Sequence, residues 1–211
     1  MLFSKGQLSI LLMEPIFNWY YKYANIGITN EFQHEFNTLA ESVTDLQSLQ
    51  SSKIYYLEDD VVRKHCPAFI QHLNSIGLGP ILCGAGIIIV YPGSAFPIHI
   101  DHEHDITQQV GLNFPVRNCD NSFTVWYQNV TKGKHLDKQI SGNTYTDQIC
   151  EFEGETPIEV ARCELTGPVW INTGLPHTAE SLNPGLRISV SFRFYKKILK
   201  LLENENIINW R

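Results

Sequence analysis

The chain contains no apolar run long enough to cross a bilayer. An apolar patch near the N-terminus, residues 8–13, ends at Glu14 and Pro15, whereas a membrane-spanning helix needs about 20 apolar residues. No small-residue cleavage motif follows the patch, so a secretory signal is not predicted. Internal repeats and low-complexity tracts are also absent. We therefore expect a cytoplasmic protein without a membrane partner, in which this patch packs on the domain.

Cysteine pairs at the spacing of zinc sites or redox motifs are missing as well. The chain has five cysteines, Cys66, Cys83, Cys119, Cys150 and Cys163, and no CxxC pair. Their odd number and wide spacing argue against a disulfide framework. We interpret them as reduced thiols of an intracellular protein.

Positive charge is scarce. Lysine and arginine together number 16 against 22 aspartates and glutamates, which gives a net charge of −6 and a pI near 5.7. Non-specific nucleic-acid binding needs clustered basic residues, so it is not expected, although a local basic groove is not excluded. No Ser-His-Asp or Cys-His motif for nucleophilic catalysis is found either. The oligomeric state cannot be read from the sequence.

Composition and length predict one domain, residues 1–211. Hydrophobic residues make up 43% and aromatic residues 11% of the 211 positions, which is ordinary for a globular protein. We expect helical support over 1–80, a β core over 81–195 and a C-terminal helix with a polar tail over 196–211. Apolar periodicity predicts helices over 30–50 and 59–76. Pro67 starts a new helix or kinks the second one, and Gly77 is a candidate cap at its end.

Short β-branched and aromatic runs separated by Gly, Pro, Asn and Asp begin after Gly79-Pro80. They are typical of an all-β sandwich or barrel. Strands are predicted at 84–91, 96–101, 108–116, 122–128, 157–165, 168–173 and 186–194. The polar stretch 129–156 between them is expected to be a functional lid or a mobile loop. Helices followed by seven or eight short strands favour a mainly β fold, a cupin-like jelly roll or double-stranded β-helix, with the helices bracing one sheet.

A candidate metal site lies in the second predicted strand. Residues two apart in a strand face the same side, so His99 and Asp101 are expected side by side. His177, after the turn at 173–176, can supply a third ligand. Two imidazoles and one carboxylate leave coordination positions open, as in non-haem Fe(II) oxygenases, which need them for a co-substrate and O2.

Four other residues near this site carry groups that can bind a metal. His102 follows Asp101 directly and should face the opposite way, and His104 reaches back only if the strand breaks. Glu103 and Asp105 are expected at the rim of a cavity. A cavity-lining or surface role is favoured for all four, although His102 and His104 stay open as alternative ligands.

Within the last predicted strand, residues 187–194 alternate between polar and apolar without exception. This pattern is typical of an outer strand with one wet face, but in an open jelly roll one face lines the cavity. Arg187 follows His177 by ten residues, and a buried guanidinium requires an anion such as a dicarboxylate co-substrate. Ser189 shares its face. Arg193 lies roughly 20 Å farther along at about 3.3 Å per residue, so we expect it at the barrel mouth or exposed, not at the same carboxylate.

Three further residues are candidates for binding the co-substrate. Asn113 faces away from the core positions Leu112 and Phe114, either into the cavity or as an outer polar residue. Thr124 and Trp126 share one face of their strand. Trp126 forms a wall of the pocket or is a buried core residue.

His99-Ile100-Asp101, His177 and Arg187-Ile188-Ser189 together resemble the HxD…H…RxS pattern of the 2-oxoglutarate- and Fe(II)-dependent dioxygenases. The resemblance covers roughly residues 84–195. The run 111–116, Gly-Leu-Asn-Phe-Pro-Val, is similar to the central segment of the aspartyl/asparaginyl β-hydroxylase-like and prolyl hydroxylase-like branches. The resemblance implies a jelly roll with Fe(II) held by His99, Asp101 and His177. It also implies 2-oxoglutarate chelating that iron, with its distal carboxylate at Arg187 and Ser189, and O2 as the oxidant.

The expected activity is therefore hydroxylation of a C–H bond in a small-molecule or amino-acid/peptidyl substrate, with release of succinate and CO2. The alternative is a cupin-type metal-binding isomerase or small-ligand-binding module without oxygenase activity. A third reading is an inactive scaffold of the same fold, against which the intact ligand triad argues.

Overall fold

The computed structural model describes residues 19–43, 46, 49–101, 110–140, 143–151 and 156–194. At 43, 81, 83, 131–140 and 143–151 the description is of the backbone alone. The N-terminal apolar patch, the alternative ligands at 102–105 and the expected C-terminal helix lie outside these residues.

Three α-helices precede most of the strands. They are α1 (Asn30–Val43), α2 (Asp59–His65) and α3 (Pro67–Ser75), followed by a 3-10 turn at Gly79–Ile81. The Thr29 hydroxyl accepts a hydrogen bond from the backbone N–H of Phe32 at 3.1 Å and so caps α1. Pro67 begins α3, as expected of a residue that lacks an N–H and has a helical φ. Gly77, just beyond α3, has a φ of +78°, which favours glycine.

No helix among these residues is long and apolar enough to cross a membrane.

Twelve strands form the rest of the described chain: β1 (Tyr21–Tyr23), β2 (Lys53–Glu58), β3 (Leu82–Val90), β4 (His99–Ile100), β5 (Val110–Arg117), β6 (Ser122–Gln128), β7 (Thr131–Ile140), β8 (Asn143–Glu151), β9 (Ile158–Glu164), β10 (Val169–Asn172), β11 (His177–Ser181) and β12 (Arg187–Phe194). The first sheet has the order β1-β10-β5-β12-β3-β2 and the second β7-β8-β4-β11-β6-β9. From β3 to β6, and again from β9 to β12, the chain alternates between the two sheets. This is a jelly roll, as the sequence predicted.

The segment 129–156, expected as a functional lid or a mobile loop, contains the strands β7 and β8. β7 pairs with β8 along most of its length, and β8 pairs with β4 through His99 and Ile149. The sequence of β7 carries no apolar alternation, and β7 lies at the edge of the second sheet. The predicted strand 96–101 is reduced to the two residues of β4, and β1, β2 and β11 were not predicted.

The helices pack on the outer face of the first sheet, which confirms the expected bracing. Four buried aromatic rings make this contact: Phe36 of α1, Phe69 of α3, Phe114 of β5 and Phe192 of β12. The Phe69 and Phe192 centroids lie 4.5 Å apart, and those of Phe36 and Phe114 lie 5.1 Å apart. Burying rings of this size stabilises the helix–sheet layer.

β12 has two chemically different faces, as its alternation predicts. Ile188, Val190, Phe192 and Phe194 belong to the apolar core beneath the helices. The odd-numbered residues of β12, which are polar, face the second sheet, and Ser191 and Arg193 line the cavity between the sheets.

Candidate metal centre

The three predicted ligands come together between the two sheets. One ligand atom of each of His99, Asp101 and His177 lies within 4.8 Å of the others. His99 is the register partner of His177 across β4 and β11, and their ring centroids are 4.5 Å apart. Backbone pairing therefore brings the two imidazoles to one point.

The segment around β4 is held in place by β11 and by the turn before it. The N–H of Phe96 donates to the carbonyl of Ala179 at 3.0 Å, and the Thr178 hydroxyl donates to the carbonyl of Phe96 at 2.7 Å. The N–H of Asp101 donates to the carbonyl of Thr173 at 3.0 Å. These bonds fix the backbone on both sides of His99.

Both imidazoles present the same nitrogen to the site. Nδ1 of His99 is 2.8 Å from the carbonyl oxygen of Pro97, and Nδ1 of His177 is 2.9 Å from that of Leu175. A carbonyl only accepts, so each Nδ1 carries the proton and each Nε2 keeps a lone pair for a metal. Burial, and then the neighbouring His99, lower the pKa of His177 to about 4, so this imidazole is neutral at neutral pH.

The donor set fits a divalent transition metal. Two imidazoles and one carboxylate are ligands that Fe(II) accepts, and three ligands leave positions for other molecules. Among the described residues, His99, Asp101 and His177 are the group that could hold a metal.

A cavity opens beside the triad, between the inner faces of the sheets. Its apolar lining includes Ile54, Tyr56, Ile88, Phe96, Ile171 and Ala179. The predicted residues Asn113 and Thr124 line it too, and both side chains are buried. The Asn113 Oδ1 atom has no hydrogen-bond partner, so this polar atom is available to a ligand.

Arg187 is fully buried. It lies on the polar face of β12, at the opposite end of the strand from Arg193. Its Nη1 donates to the carbonyls of Phe123 at 2.9 Å and Glu180 at 3.1 Å. Its Nε and Nη2 atoms, and the hydroxyl of Ser189, have no partner. No carboxylate within the described ranges forms a salt bridge with Arg187, and burial lowers the pKa of its guanidinium.

A buried charge whose donors have no hydrogen-bond partner favours an anionic ligand. Arg187 and Ser189 are not among the residues that line the cavity itself.

Trp126 lies in an apolar cluster beside the site and is not among the cavity-lining residues. Its Nε1–H donates to the carbonyl of Asn172 at 2.8 Å, and its ring stacks on Tyr21 with centroids 5.7 Å apart. The Asn172 Oδ1 atom accepts from the N–H of Gly174 at 3.1 Å. Trp126 thus anchors the turn that leads to His177.

Arg193 is not an exposed residue, which corrects one of the two positions expected for it. Its side chain is 17% exposed, and its Nη2 lies 2.9 Å from Oδ2 of Asp101. The end of β12 that carries Arg193 lies beside the triad. Ser191, which precedes it on the same face, also lines the cavity and was not singled out in advance. The polar alternation of β12 is the sequence pattern that places Arg193 and Ser191 on the cavity side.

No family model and no curated protein matches the sequence. Among solved structures, the chain is similar to a prolyl hydroxylase from Trichoplax adhaerens, complexed with a peptide fragment of hypoxia inducible factor. The identity is 11% over 88% of this chain and 86% of that one, with a TM-score of 0.45. A 2OG-Fe(II) oxygenase family oxidoreductase from Burkholderia pseudomallei aligns at 9% identity over 78% and 77% of the two chains, with a TM-score of 0.45. An oxalate decarboxylase from Lactobacillus farciminis aligns at 11% identity over 71% of this chain and 30% of that one, with a TM-score of 0.34. At these values, activity has to be argued from the chain's own residues.

Proposed function

We propose that this chain is an Fe(II)- and 2-oxoglutarate-dependent oxygenase that hydroxylates a C–H bond of a small-molecule or amino-acid/peptidyl substrate, releasing succinate and CO2. The observation that carries the proposal is that two sites lie between the same two sheets. One is the triad of two histidines and one aspartate. The other is the guanidinium of Arg187, which is buried and has two nitrogen atoms without a hydrogen-bond partner.

The triad would hold the metal. His99 and His177 offer Nε2 lone pairs fixed by their Nδ1–H bonds to backbone carbonyls, and Asp101 adds one negative charge. Bound Fe(II), with 2-oxoglutarate and O2 as co-substrates, would supply the oxidising chemistry, so the chain itself needs no general base. Its own contribution is to orient the ligands and to surround them with apolar side chains that exclude water.

Arg187 would bind the distal carboxylate of 2-oxoglutarate. Arg187 donates a hydrogen bond to the carbonyl of Glu180. Glu180 follows His177 by three residues in β11, which is roughly 10 Å at about 3.3 Å per residue. This separation between the metal site and Arg187 is comparable to the length of a five-carbon dicarboxylate together with its contacts at both ends. The idle Nε and Nη2 atoms of Arg187 and the idle hydroxyl of Ser189 supply three donors, which match a carboxylate.

The test is anaerobic titration of the protein with Fe(II) and then with 2-oxoglutarate, followed by visible absorption. We expect a weak metal-to-ligand charge-transfer band in the wild type, its loss in His177→Ala and its retention in His34→Ala, a change of an exposed histidine on α1. Iron binding without a band would overturn the co-substrate assignment and favour the cupin-type binding module. Once the band is found, succinate release on addition of candidate substrates identifies the substrate.

A further inference from the structure

The two oxygens of Asp101 face different partners. Oδ1 lies 3.5 Å from Nε2 of His99, on the side where a metal would bind. Oδ2 accepts a hydrogen bond from Nη2 of Arg193 at 2.9 Å. The carboxylate is therefore divided between the metal side and the guanidinium.

The place of this guanidinium depends on Gly111. Arg193 of β12 is the register partner of Gly111 of β5. A Cβ atom at Gly111 would lie 1.9 Å from Nη1 of Arg193, and its next contact would be the hydroxyl of Ser191 at 3.0 Å. Any other residue at 111 would therefore push the guanidinium from its present position.

We propose that Arg193 is a positioning residue for the metal site and that Gly111 provides the space it needs. By holding Oδ2, Arg193 restricts Asp101 to one ligating oxygen. A carboxylate that bound through both oxygens would occupy a position that the co-substrate and O2 require. This inference rests on the proposed metal site, although not on 2-oxoglutarate or on turnover.

Charge and geometry make opposite predictions for the loss of Arg193. Removing a cation from beside a divalent metal strengthens metal binding, because the Coulomb repulsion between the two positive charges is lost. Removing a group that orients a ligand weakens it, and such outer partners typically change metal affinity about 10- to 100-fold. The sign of the change therefore separates a positioning role from a mere ion pair.

The experiment is titration of the metal-free protein with Co(II), read by the visible ligand-field bands, which report both affinity and coordination. The variants are Arg193→Ala, Gly111→Ala and the double variant. Gly167→Ala is the matched control, because a Cβ there meets nothing within 4 Å. Circular dichroism melting checks that each variant is folded. Arg193→Ala keeps the test falsifiable if Gly111→Ala does not fold.

We expect Arg193→Ala and Gly111→Ala each to weaken Co(II) binding about 10- to 100-fold and to alter the band pattern in the same way. The Gly167→Ala control should match the wild type. In the double variant the methyl group no longer meets a guanidinium, so its affinity should equal that of Arg193→Ala rather than the product of two losses.

Several results would overturn the inference. They are unchanged or tighter Co(II) binding in Arg193→Ala, a Gly111→Ala protein that behaves like the Gly167→Ala control, or losses that multiply in the double variant. Failure of the proposed function is a separate result, in which these Co(II) effects appear but the wild type forms no charge-transfer band with Fe(II) and 2-oxoglutarate. A wild type that binds no Co(II) would remove the metal site and this inference together.

Discussion

His99 and His177 stand directly opposite each other in the ladder between β4 and β11. Their close approach is set by backbone register and by two Nδ1–H bonds to carbonyls, neither of which needs a metal. The site is therefore preorganised in the folded chain, and metal binding should add to its stability without being required for folding.

A divalent metal should raise the melting temperature of the wild type and not that of Asp101→Ala. At a free metal concentration of 100 times Kd, binding to the folded state alone adds about 2.7 kcal/mol. Thermal melting with and without Mn(II) measures the effect, and Asp60→Ala, at an exposed carboxylate of α2, serves as the control. An equal shift in Asp101→Ala would remove Asp101 from the ligand set.

Loss of the Arg187 guanidinium should weaken 2-oxoglutarate binding while leaving metal binding intact. Hydrogen bonds to charged groups contribute about 1.5–3 kcal/mol, so Arg187→Met should raise the Kd for 2-oxoglutarate by a factor between about 10 and 150. Titration of the metal-loaded protein measures this, with Arg63→Met on α2 as control, since Arg63 pairs with Asp59 at the surface. Equal affinity in Arg187→Met and wild type would reject the assignment.

The alternation in β12 was the most informative pattern in the sequence. It correctly predicted a strand with one core face and one polar face, because a period of two follows from strand geometry alone. The spacing of His99, Asp101 and His177 likewise predicted a cluster that the fold assembles. Both signals are local or depend on residue type, so a single sequence is enough to read them.

The place of Arg193 could not be read in the same way. Its distance from Arg187 follows from strand length, but its closeness to Asp101 depends on which end of β12 meets the triad. That depends on the pairing of β12 with β3 and β5, a long-range property. The β7–β8 hairpin was not predicted for a related reason, since its sequence shows no sustained apolar period and the pairing of β8 with β4 is also a long-range property.

Glu35 should be needed for the stability of the helical layer. Its two carboxylate oxygens accept the backbone N–H groups of Ala68 at 2.7 Å and Phe69 at 3.0 Å, at the start of α3. Glu35 is 7% exposed, so its loss leaves the buried N–H of Phe69 and the partly buried N–H of Ala68 unpaired. An unpaired buried donor costs about 1–3 kcal/mol. Urea unfolding of Glu35→Ala should show this loss, whereas Glu31→Ala, at an exposed position of the same helix, should stay near the wild type. Equal stability of the two variants would contradict this role.

The buried thiols should resist alkylation until high pH. Burial, together with the charge of Glu35, raises the pKa of Cys66 to about 12, and burial raises that of Cys163 to about 11. Only the thiolate reacts, so at pH 8 about one Cys66 side chain in 10,000 would be reactive, against roughly a quarter for a thiol of ordinary pKa near 8.5.

Peptide mapping after iodoacetamide treatment should find slow labelling at Cys66 and Cys163, with a rate that rises about tenfold per pH unit up to pH 10. The same peptides should label fast in urea and level off above about pH 9, since unfolding restores the ordinary pKa; equal rates in the folded and unfolded chain would show that these thiols are accessible to the reagent.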